Sequence, residues 1–497
     1  MVRAFAATLL ALLAGSATAA EADTFDIGLT AKGARIDAIE VPAAKSAPTV
    51  VLVGGLHGDD ASVAAVRAAI GAYAKHHDRP VRLLAVPLAN PDGATPQFPP
   101  TGTAYREHAE SQVLWRWLGT QAPDLVLIAG DDDAGLAAAL ASQPVADMGS
   151  IPAQHWNGAA DWVRHLGTVA KSPAHLELQR RLARTPRELA TQLAAHYGHS
   201  FEQVLYIDAI ALQARLKLGA LADVQRLAEP WVDGAKNSLA RPSSLVMAGH
   251  IVFTALARLT HDPRYVALVR QVADLGFDAS GNMLEAMPYN DGYSDSVFMG
   301  TTILAQAGAL TGEQKYFEMA DRHLRYMQQL DLRPDGLYRH RPQADVAWGR
   351  GNGFAALGLA LTLSDLPRGS VAYTHALQGY RALMRALLPW QTRDGLWRNV
   401  VNHPGAYPEF SGTAMIGFAL ERGLKQGWIK GRDYQQAVER AFQAVSARSA
   451  DSGSLVDVCE STAGITTEEQ YLQRASILGP DARGGAMAML FATELME

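Results

Sequence analysis

The sequence is poor in cysteine and has no concentrated positive charge. Its 497 residues include a single cysteine, Cys459, so no internal disulfide can form and stability must come from core packing. The 44 Lys and Arg residues are outnumbered by 50 Asp and Glu residues, which gives a formal net charge of -6, and no lysine-rich block is present. We therefore expect no nucleic-acid partner, because proteins that bind nucleic acid carry clustered positive charge.

The one conspicuous apolar run lies at the N-terminus and is short. Residues 1–20 read MVRAFAATLLALLAGSATAA, in which a mostly apolar stretch at 4–13 is followed by small residues at 17–19. This layout predicts a secretory signal peptide that is cleaved near residues 19–21. The run is too short to favour a membrane span, and no cysteine follows it that would carry a lipid anchor. We therefore expect a periplasmic or secreted protein without a membrane anchor.

From Pro48 to about Ala170 the sequence alternates strand-like and helix-like segments. The runs TVVLVGGLHG, VRLLAVPLANPDG and PDLVLIAGDDD are apolar and end in Gly, Asn, Asp or Pro, as buried parallel strands do. An alanine-rich segment at 61–75 lies between the first two runs. Strands and helices that alternate at this spacing predict an α/β domain, which we assign to residues 21–170.

From about Arg187 onward, long helices alternate with loops that contain Gly and Asp, and the pattern repeats. The segment LTHDPRY at 259–265 recurs as LTGEQKY at 310–316. Turn glycines recur at similar intervals, at Gly281, Gly336, Gly395 and Gly453. Intervals of this length hold one helical hairpin, and the segment from 187 to 497 has room for about six. We predict an all-α (α/α)6 toroid over residues 187–497, joined to the first domain by a linker at 171–186; an open helical solenoid is the alternative.

Two segments in the helical half concentrate polar side chains directly before apolar helices. In YSDSVFMG at 293–300, Asp295 stands at the start of an apolar run, where a carboxylate either caps the helix or does chemistry. In DGLYRHRPQADVAWGRGNGF at 335–354, Arg, Asp, His and Trp precede a helix, and three glycines allow close approach of a ligand. No βαβ unit surrounds these glycines, so a dinucleotide loop is not expected. Aromatic and cationic side chains suit a planar, anionic sugar, and an inter-helix turn stabilised by Trp348 is the alternative.

These motifs resemble the unsaturated glucuronyl and rhamnogalacturonyl hydrolases, glycoside hydrolase families 88 and 105. The likeness covers residues 187–497 and rests on YSDSVFMG, GLYRH followed by WGRGNGF, QTRDGLWRNVV, PEFSGTAMIGFAL and GPDARGGAMAMLFATELME. It implies a glycosidase without a cofactor that removes a 4,5-unsaturated uronic acid from the non-reducing end of lyase-generated oligosaccharides. It also implies that Asp295 is the general acid/base.

The resemblance further implies a set of substrate-binding residues. These are His250, Tyr289, His340, Asp345, Trp348, Arg350, Asn352 and Phe354, the last standing where the family often has a stacking Trp. The family's second aspartate, expected about one hairpin before Asp295, is not evident, because SSLVMAGH at 243–250 occupies its place. Either His250 compensates for it, or the site recognises a different sugar. Glu409 is expected to cap the helix that follows it, with binding to the sugar as the alternative.

The implied reaction is hydration of a vinyl ether. One carboxyl group protonates C4 of the unsaturated uronate and then helps to deprotonate a water that adds at C5. A group that does both needs a raised pKa, which desolvation beside an apolar helix would supply to Asp295. An ordinary glycosidase mechanism needs two carboxylates, and Asp291 or Asp345 would then be the partner.

The front half resembles the opening strands of zinc carboxypeptidases and related deacylases, over residues 45–135. The likeness rests on GGLHGDDAS and PLANPDG, with His57-Gly-Asp-Asp60 in place of the family's His-x-x-Glu. Ala129 and Gly130 stand where the family has its last zinc ligand, so we expect a degenerate domain with a structural or docking role and no metal.

Two functions of other classes stay open. One is a zinc-dependent peptidase or deacylase that uses His57 and Asp60, with Asp131 or Asp132 as the third of the ligands that catalytic zinc needs. The other is a non-catalytic carbohydrate-binding protein built on the helical ring.

Overall fold

The protein is described here by a computed structural model. It describes residues 22–43, 47–76, 78–158, 166, 168–462 and 464–496. The predicted signal peptide therefore lies outside the described residues. Within the described ranges, no helix has both the length and the apolar character needed to cross a membrane.

The first part of the chain forms one six-stranded sheet. Its strands are β1 (Asp23–Leu29), β2 (Arg35–Val41), β3 (Thr49–Val53), β4 (Arg82–Val86), β5 (Leu125–Ala129) and β6 (Ala153–Trp156). They lie in the order β1-β2-β4-β3-β5-β6, with β4, β3, β5 and β6 parallel and β1 and β2 antiparallel. All five residues of β3 are buried, as its unbroken apolar sequence requires of a central parallel strand.

Helices cover both faces of this sheet. They are α1 (Asp60–Ala74), α2 (Ala109–Gln121) and α3 (Leu136–Ser142). Val66 and Ile70 of α1 pack in one apolar cluster, whereas Val113 and Leu118 of α2 pack in another. The sheet is thus buried on two sides, and the predicted α/β layer is present. The predicted linker at 171–186 is not extended, because it contains a further helix, α4 (Pro173–Leu182), capped by Ser172.

The rest of the chain forms a closed ring of paired helices. The inner helices are α6 (Tyr206–Lys217), α8 with α9 (Ser244–Gly249 and Ile251–Thr260), α11 with α12 (Ser296–Met299 and Thr301–Thr311), α14 (Gly349–Asp365), α16 (Phe410–Lys425) and α19 (Ala482–Glu494). The outer helices are α5 (Pro186–Ala194), α7 (Leu221–Val232), α10 (Pro263–Ala273), α13 (Gln314–Asp331), α15 (Val371–Leu387) and α17 (Arg432–Ala447). The last inner helix, α19, packs against both α16 and α6, which closes the ring. A closed ring agrees with the predicted toroid and not with an open solenoid.

The sequence repeat corresponds to equivalent turns on one rim. Thr260 ends α9, and its Oγ1 donates to the Leu256 carbonyl and accepts from the Asp262 amide. Thr311 ends α12 and makes the same two bonds, to Ala307 and Glu313. Both turns follow inner helices, so they lie at the same end of the ring.

The repeated glycines mark the opposite rim, where each outer helix returns to the next inner helix. Gly281, Gly336, Gly395 and Gly453 have φ angles of 81°, 83°, 89° and 85°. Each donates its amide to the carbonyl three residues before it, at 2.9–3.0 Å. The left-handed conformation explains why glycine recurs there. The inner helices begin at this rim, so polar residues at their N-termini converge on one side of the ring.

The α/β domain packs against this second rim. Short strands reinforce the contact: β7 (Trp397–Arg398), β8 (Pro408–Glu409), β9 (Ser454–Cys459) and β10 (Ser476–Pro480), with helix α18 (Glu468–Leu472) between the last two. Arg116 of α2 forms a buried ion pair with Asp457 of β9 at 2.7 Å. Tyr105 stacks on Tyr407, with ring centroids 4.4 Å apart. One apolar cluster therefore spans the sheet domain and the rim.

Candidate active site

Asp295 stands directly before α11 and does not cap it. Its side chain accepts no capping hydrogen bond, and its Oδ1 is buried without a hydrogen-bond partner among the described residues. The side chain as a whole is 23% exposed, so one side of the carboxyl group is open. Desolvation raises the pKa of Asp295 to about 7, although the positive charge of Arg350 opposes the rise. A carboxyl group that is open on one side and poised near neutral pH suits general acid/base work.

His340 lies beside Asp295. Its Nε2 lies 3.8 Å from Asp295 Oδ1, and its Nδ1 is hydrogen-bonded to the Tyr471 hydroxyl. The ring lies 4.4 Å from the Trp348 ring and 4.8 Å from the Tyr293 ring, measured between centroids. Burial lowers the pKa of His340 to about 3, with Arg341 and Arg350 adding to the effect. His340 is therefore neutral and fixed in orientation.

Arg350 supplies a buried positive charge beside this pair. Its guanidinium donates to the carbonyls of Cys459 and Glu460, the latter at 2.7 Å, and lies 4.6 Å from the centroid of the Trp348 ring. Only 2% of the residue is exposed. Arg350 is thus held by hydrogen bonds at the end of strand β9. Its contact with a substrate carboxylate stays a prediction.

Arg483 approaches Asp295 from the far end of the sequence, and no role was predicted for it. It lies in the first turn of α19, is partly exposed, and donates through Nε to the Tyr206 hydroxyl at 3.2 Å. Its charge also opposes the rise in the pKa of Asp295. The signal that would have found it is the pattern DARGGA, which repeats the Arg-Gly pairing of WGRGNG before an apolar helix.

Asp331 is a second buried carboxyl group, and the sequence did not point to it. It ends α13, is fully buried, and neither oxygen has a hydrogen-bond partner among the described residues. Desolvation raises the pKa of Asp331 to about 8; Arg339 opposes the rise and the charge of Asp295 adds to it. Nothing in its sequence context, QQLDLRPDG, distinguishes it from an exposed residue at a helix end.

Asn352 and Phe354 lie beneath the site and do not face it. The Asn352 amide bonds both backbone groups of Tyr338 and the Trp348 carbonyl, so it holds the hairpin that carries His340. Phe354 is 1% exposed and stacks on Phe298, with ring centroids 5.7 Å apart. The expectation that Phe354 stacks on a sugar is therefore corrected, because its ring is a core residue.

His250 is also a core residue. It is fully buried, its Nδ1 bonds the Val246 carbonyl at 2.8 Å, and its Nε2 bonds the Ser238 hydroxyl at 2.9 Å. Burial lowers the pKa of His250 to about 4. Both ring nitrogens are thus engaged, and the expectation that His250 replaces the missing aspartate is not supported.

The remaining predicted residues lie on loops. Asp345 is exposed and forms ion pairs with Arg333 at 3.2 Å and Arg339 at 3.6 Å. Tyr289 and Asp291 occupy left-handed conformations in the loop before Asp295, and Tyr289 is 42% exposed. None of the three forms a hydrogen bond or ion pair with Asp295, so their roles stay predictions.

Glu409 caps α16, as the sequence favoured. Its carboxylate accepts the amides of Ser411 and Gly412 at the start of the helix and the amide of Cys459 from β9. The cap is fully buried, and it ties the inner helix to the strand whose carbonyl groups hold Arg350.

The predicted metal residues of the front half are only partly assembled. His57 Nε2 lies 3.4 Å from Asp132 Oδ2, and both side chains are exposed. Asp60 points to solvent, whereas Asp59 caps α1 through the Ser62 amide. Across the part of the chain that the structure describes, no three His, Cys, Asp or Glu side chains are grouped to hold a metal ion. This donor set falls short of the three protein ligands of catalytic zinc.

The described residues thus form a closed toroid of helical pairs with an acidic side chain of raised pKa at one rim. Residues 222–497 match the model of Glycosyl Hydrolase Family 88. Because this match covers more than half of the chain, the protein belongs to Glycosyl Hydrolase Family 88. The prediction of a glycoside hydrolase is confirmed at the level of the family.

Three curated proteins illustrate the similarity. The unsaturated 3S-rhamnoglycuronyl hydrolase of Formosa agariphila is 34% identical over 103 residues, which are 20% of this chain and 27% of that protein. The protein of the same name from Alteromonas sp. is 25% identical over 179 residues, 32% of this chain and 42% of that protein. The unsaturated rhamnogalacturonyl hydrolase of Bacillus subtilis is 24% identical over 268 residues, which are 50% of this chain and 76% of that protein. The chain thus spans less than half the length of the first two relatives.

Two solved structures support the fold. Possible members of family GH105 from Salmonella enterica and Klebsiella pneumoniae superpose with TM-scores of 0.54 and 0.52, at 19% and 21% sequence identity. They cover 63% and 65% of this chain, and 94% and 93% of their own chains. These likenesses support the toroid. The resemblance of residues 45–135 to zinc carboxypeptidases finds no support in these comparisons.

Proposed function

We propose that the protein removes a 4,5-unsaturated uronic acid from the non-reducing end of lyase-generated oligosaccharides. The observation that carries this proposal is Asp295, a largely buried carboxyl group that caps no helix and has a raised pKa, at the rim where the inner helices begin. The activities named for the similar proteins, which include unsaturated rhamnogalacturonyl hydrolase, support the substrate class. The predicted export to the periplasm or the cell exterior, where polysaccharide fragments are found, fits this substrate and is part of the proposal.

In the proposed reaction, Asp295 acts first as an acid. Its proton moves to C4 of the C4=C5 double bond, and the ring oxygen donates electrons to leave an oxocarbenium ion at C5. Asp295 is then a carboxylate and takes a proton from a water that adds at C5. The resulting hemiketal opens at the bond between C5 and the ring oxygen: C5 becomes a ketone, and the proton of its hydroxyl passes to the former ring oxygen. This leaves a hemiacetal at C1, which collapses to an aldehyde and releases the aglycone alcohol.

The neighbours of Asp295 fit both proton transfers. In the proposal, the Tyr471 hydroxyl donates to His340 Nδ1, so the proton of neutral His340 lies on Nε2 and faces Asp295. The charges of Arg350 and Arg483 stabilise the carboxylate that forms after the first transfer. Arg483 is the partly exposed member of this pair, so it is the better placed of the two to meet the carboxylate of the uronate.

The test follows the ultraviolet absorbance of the conjugated uronate on the products of pectin, ulvan and glycosaminoglycan lyases. Wild-type protein should abolish the absorbance of at least one of these products. Asp295→Asn should fold normally, because the side chain makes no cap, and should lose turnover by about 100- to 10,000-fold, the usual contribution of a general acid/base. Asp335→Asn, which changes an exposed acid of the same rim to which no role in the reaction is assigned, is the matched control and should keep activity within a few-fold. Near-normal turnover by Asp295→Asn would show that another residue is the general acid/base.

A further inference from the structure

A cavity of about 170 Å³ lies between the α/β domain and the ring, and none of its lining residues belongs to the group around Asp295. The sheet domain contributes Ile27, Val113 and Trp117 to its wall, and the ring contributes Arg398 and Arg448. One water needs only about 10–15 Å³, so this space holds a molecule of several heavy atoms. Binding sites occur preferentially at such contacts between domains.

Arg448, at the C-terminal end of α17, is the unusual residue of this wall. It is 5% exposed, and its Nε is buried without a hydrogen-bond partner. Among the described residues, no acceptor or carboxylate lies within bonding distance of its guanidinium group. A buried charge without a partner is unfavourable, so a group that supplies the missing negative charge would bind there with a clear energetic advantage.

The other arginines of the wall are already paired. Their partners are Asp457 for Arg116 at 2.7 Å, Asp23 for Arg393 at 3.3 Å, and Asp26 for Arg398 at 2.9 Å. The positive charge that remains within the cavity is therefore that of Arg448.

One carboxylate of the wall competes for this charge. Asp394 forms no ion pair among the described residues, and its oxygen accepts the Gln121 amide at 3.4 Å. Asp394 is partly exposed, so water screens its charge better than it screens that of buried Arg448. The asymmetry in burial favours an anion from solution as the partner of Arg448.

We propose that this interdomain cavity binds a small organic carboxylate through Arg448. A guanidinium group matches a carboxylate with two parallel hydrogen bonds. The apolar side chains of Ile27, Val113 and Trp117 provide a surface for the body of the ligand. The class of ligand is thus a compact carboxylic acid of about the size of a monosaccharide acid, and the site reaches into both domains.

The test uses the full-length chain labelled with ¹⁵N-tryptophan and sodium glucuronate as the probe. The chain has nine tryptophans, and loss of one indole signal in Trp117→Phe assigns the reporter that lines the cavity. The Trp117 signal should move and saturate as glucuronate is added. It should not respond to glucose, or to sodium chloride at equal ionic strength. Because the reporter is local, binding of glucuronate near Asp295 does not imitate the result.

Three variants link the response to Arg448. Arg448→Lys should weaken the apparent affinity by about tenfold or more, since an ammonium group cannot form the paired bonds. Arg440→Gln, at an exposed arginine of the neighbouring groove, should leave the affinity unchanged. Asp394→Asn should tighten binding, because it removes the competing charge.

The proposal is overturned by a Trp117 signal that does not move, that moves equally with glucose, or that responds unchanged in Arg448→Lys. Equal affinity for sulfate would overturn the assignment to a carboxylate. Should Arg448→Lys fail to fold, Asp394→Asn decides: unchanged affinity in that variant would also overturn the proposal.

Discussion

At the residue scale, two aspartates near the site are buried in different ways. Asp295 keeps one open side, whereas Asp331 is fully enclosed and has no hydrogen-bond partner among the described residues. The first arrangement allows exchange of protons with a substrate. The second keeps a carboxyl group protonated inside the protein, which makes stability depend on pH.

Asp331→Asn should flatten the dependence of stability on pH. The pKa of Asp331 is about 8 in the folded protein, against about 3.9 for an unfolded aspartate, so folding takes up a proton between these values. Stability is therefore highest below about pH 4 as far as this group is concerned, and it falls as the pH rises toward 8. Each unit of the pKa shift corresponds to about 1.4 kcal/mol in the free energy of unfolding. Asparagine does not ionise, so the variant does not lose this stability as the pH rises. Urea unfolding at pH 5 and pH 8 measures the difference.

The control for this experiment is Asp335→Asn, at a partly exposed acid in the turn that follows Asp331. It should leave the pH dependence of the wild type intact. If the free energy of unfolding of Asp331→Asn and of the wild type changed equally with pH, Asp331 would be ionised in the folded protein, with Arg339 as its partner.

Arg350→Lys should reduce kcat/KM and also lower the melting temperature. The lysine keeps the charge near Asp295 but cannot reach two carbonyl groups in the geometry of a guanidinium. We expect a loss of about tenfold or more in kcat/KM, comparable to about 1.4 kcal/mol of transition-state stabilisation. Steady-state kinetics and thermal unfolding measure the two effects, with Arg333→Lys on the same rim as control. A variant that loses stability alone would assign Arg350 a purely structural role.

At the scale of elements, the N-termini of the inner helices carry the polar residues of the site. Asp295, Arg350 and Arg483 all belong to the first turn of an inner helix or directly precede it. The helices behind them are almost entirely buried, which holds these positions rigidly. Glu409 shows how such a start is stabilised, because its buried carboxylate serves both a helix and a neighbouring strand.

Glu409→Ala should be more destabilising than removal of a cap from an outer helix. Ser370, which caps the outer helix α15 through the Tyr373 amide, is the matched comparison. Ser370→Ala should cost about 1 kcal/mol, the usual value for an N-cap. Glu409→Ala also leaves the amide of Cys459 unpaired in the core, so we expect a loss of about 2 kcal/mol or more. Equal losses in denaturant unfolding would contradict this reading of the buried cap.

At the scale of the whole molecule, the α/β domain contacts the ring through a buried interface. The contact is made by α2, with the ion pair of Arg116 and Asp457, and by the stacked rings of Tyr105 and Tyr407. His57 lies after β3, beside Asp132, and takes no part in this contact. A structural role for the front domain therefore does not require the histidine.

His57→Ala should keep glycosidase activity within a few-fold, and zinc should not copurify with the wild type in stoichiometric amount. Metal analysis of the purified protein and kinetics before and after treatment with a chelator measure both points. Loss of activity on chelation, together with zinc bound at His57, would favour the peptidase or deacylase alternative.

The sequence by itself determined the N-terminal sheet layer, the helical repeat and the position of Asp295 before an apolar helix. These follow from signals that are local in the chain: apolar runs that end in glycine, left-handed turn glycines at regular intervals, and an acid before an apolar helix. The cap at Glu409 was predictable for the same reason, because its partners lie two and three residues away. The helix α4 in the expected linker shows the limit of such reasoning near a domain boundary.

Only the tertiary structure decided which side chains surround Asp295 and which are buried behind it. Arg350 bonds carbonyl groups 109 and 110 residues away. The charge of Arg483 acts on Asp295 because closure of the ring brings α19 to the same rim. The burial of His250 and Phe354 likewise depends on neighbours from other helices. Side-chain type and spacing describe one helix at a time. The direction in which a residue faces, and therefore its pKa and access to substrate, is set by packing between helices that are distant in the chain.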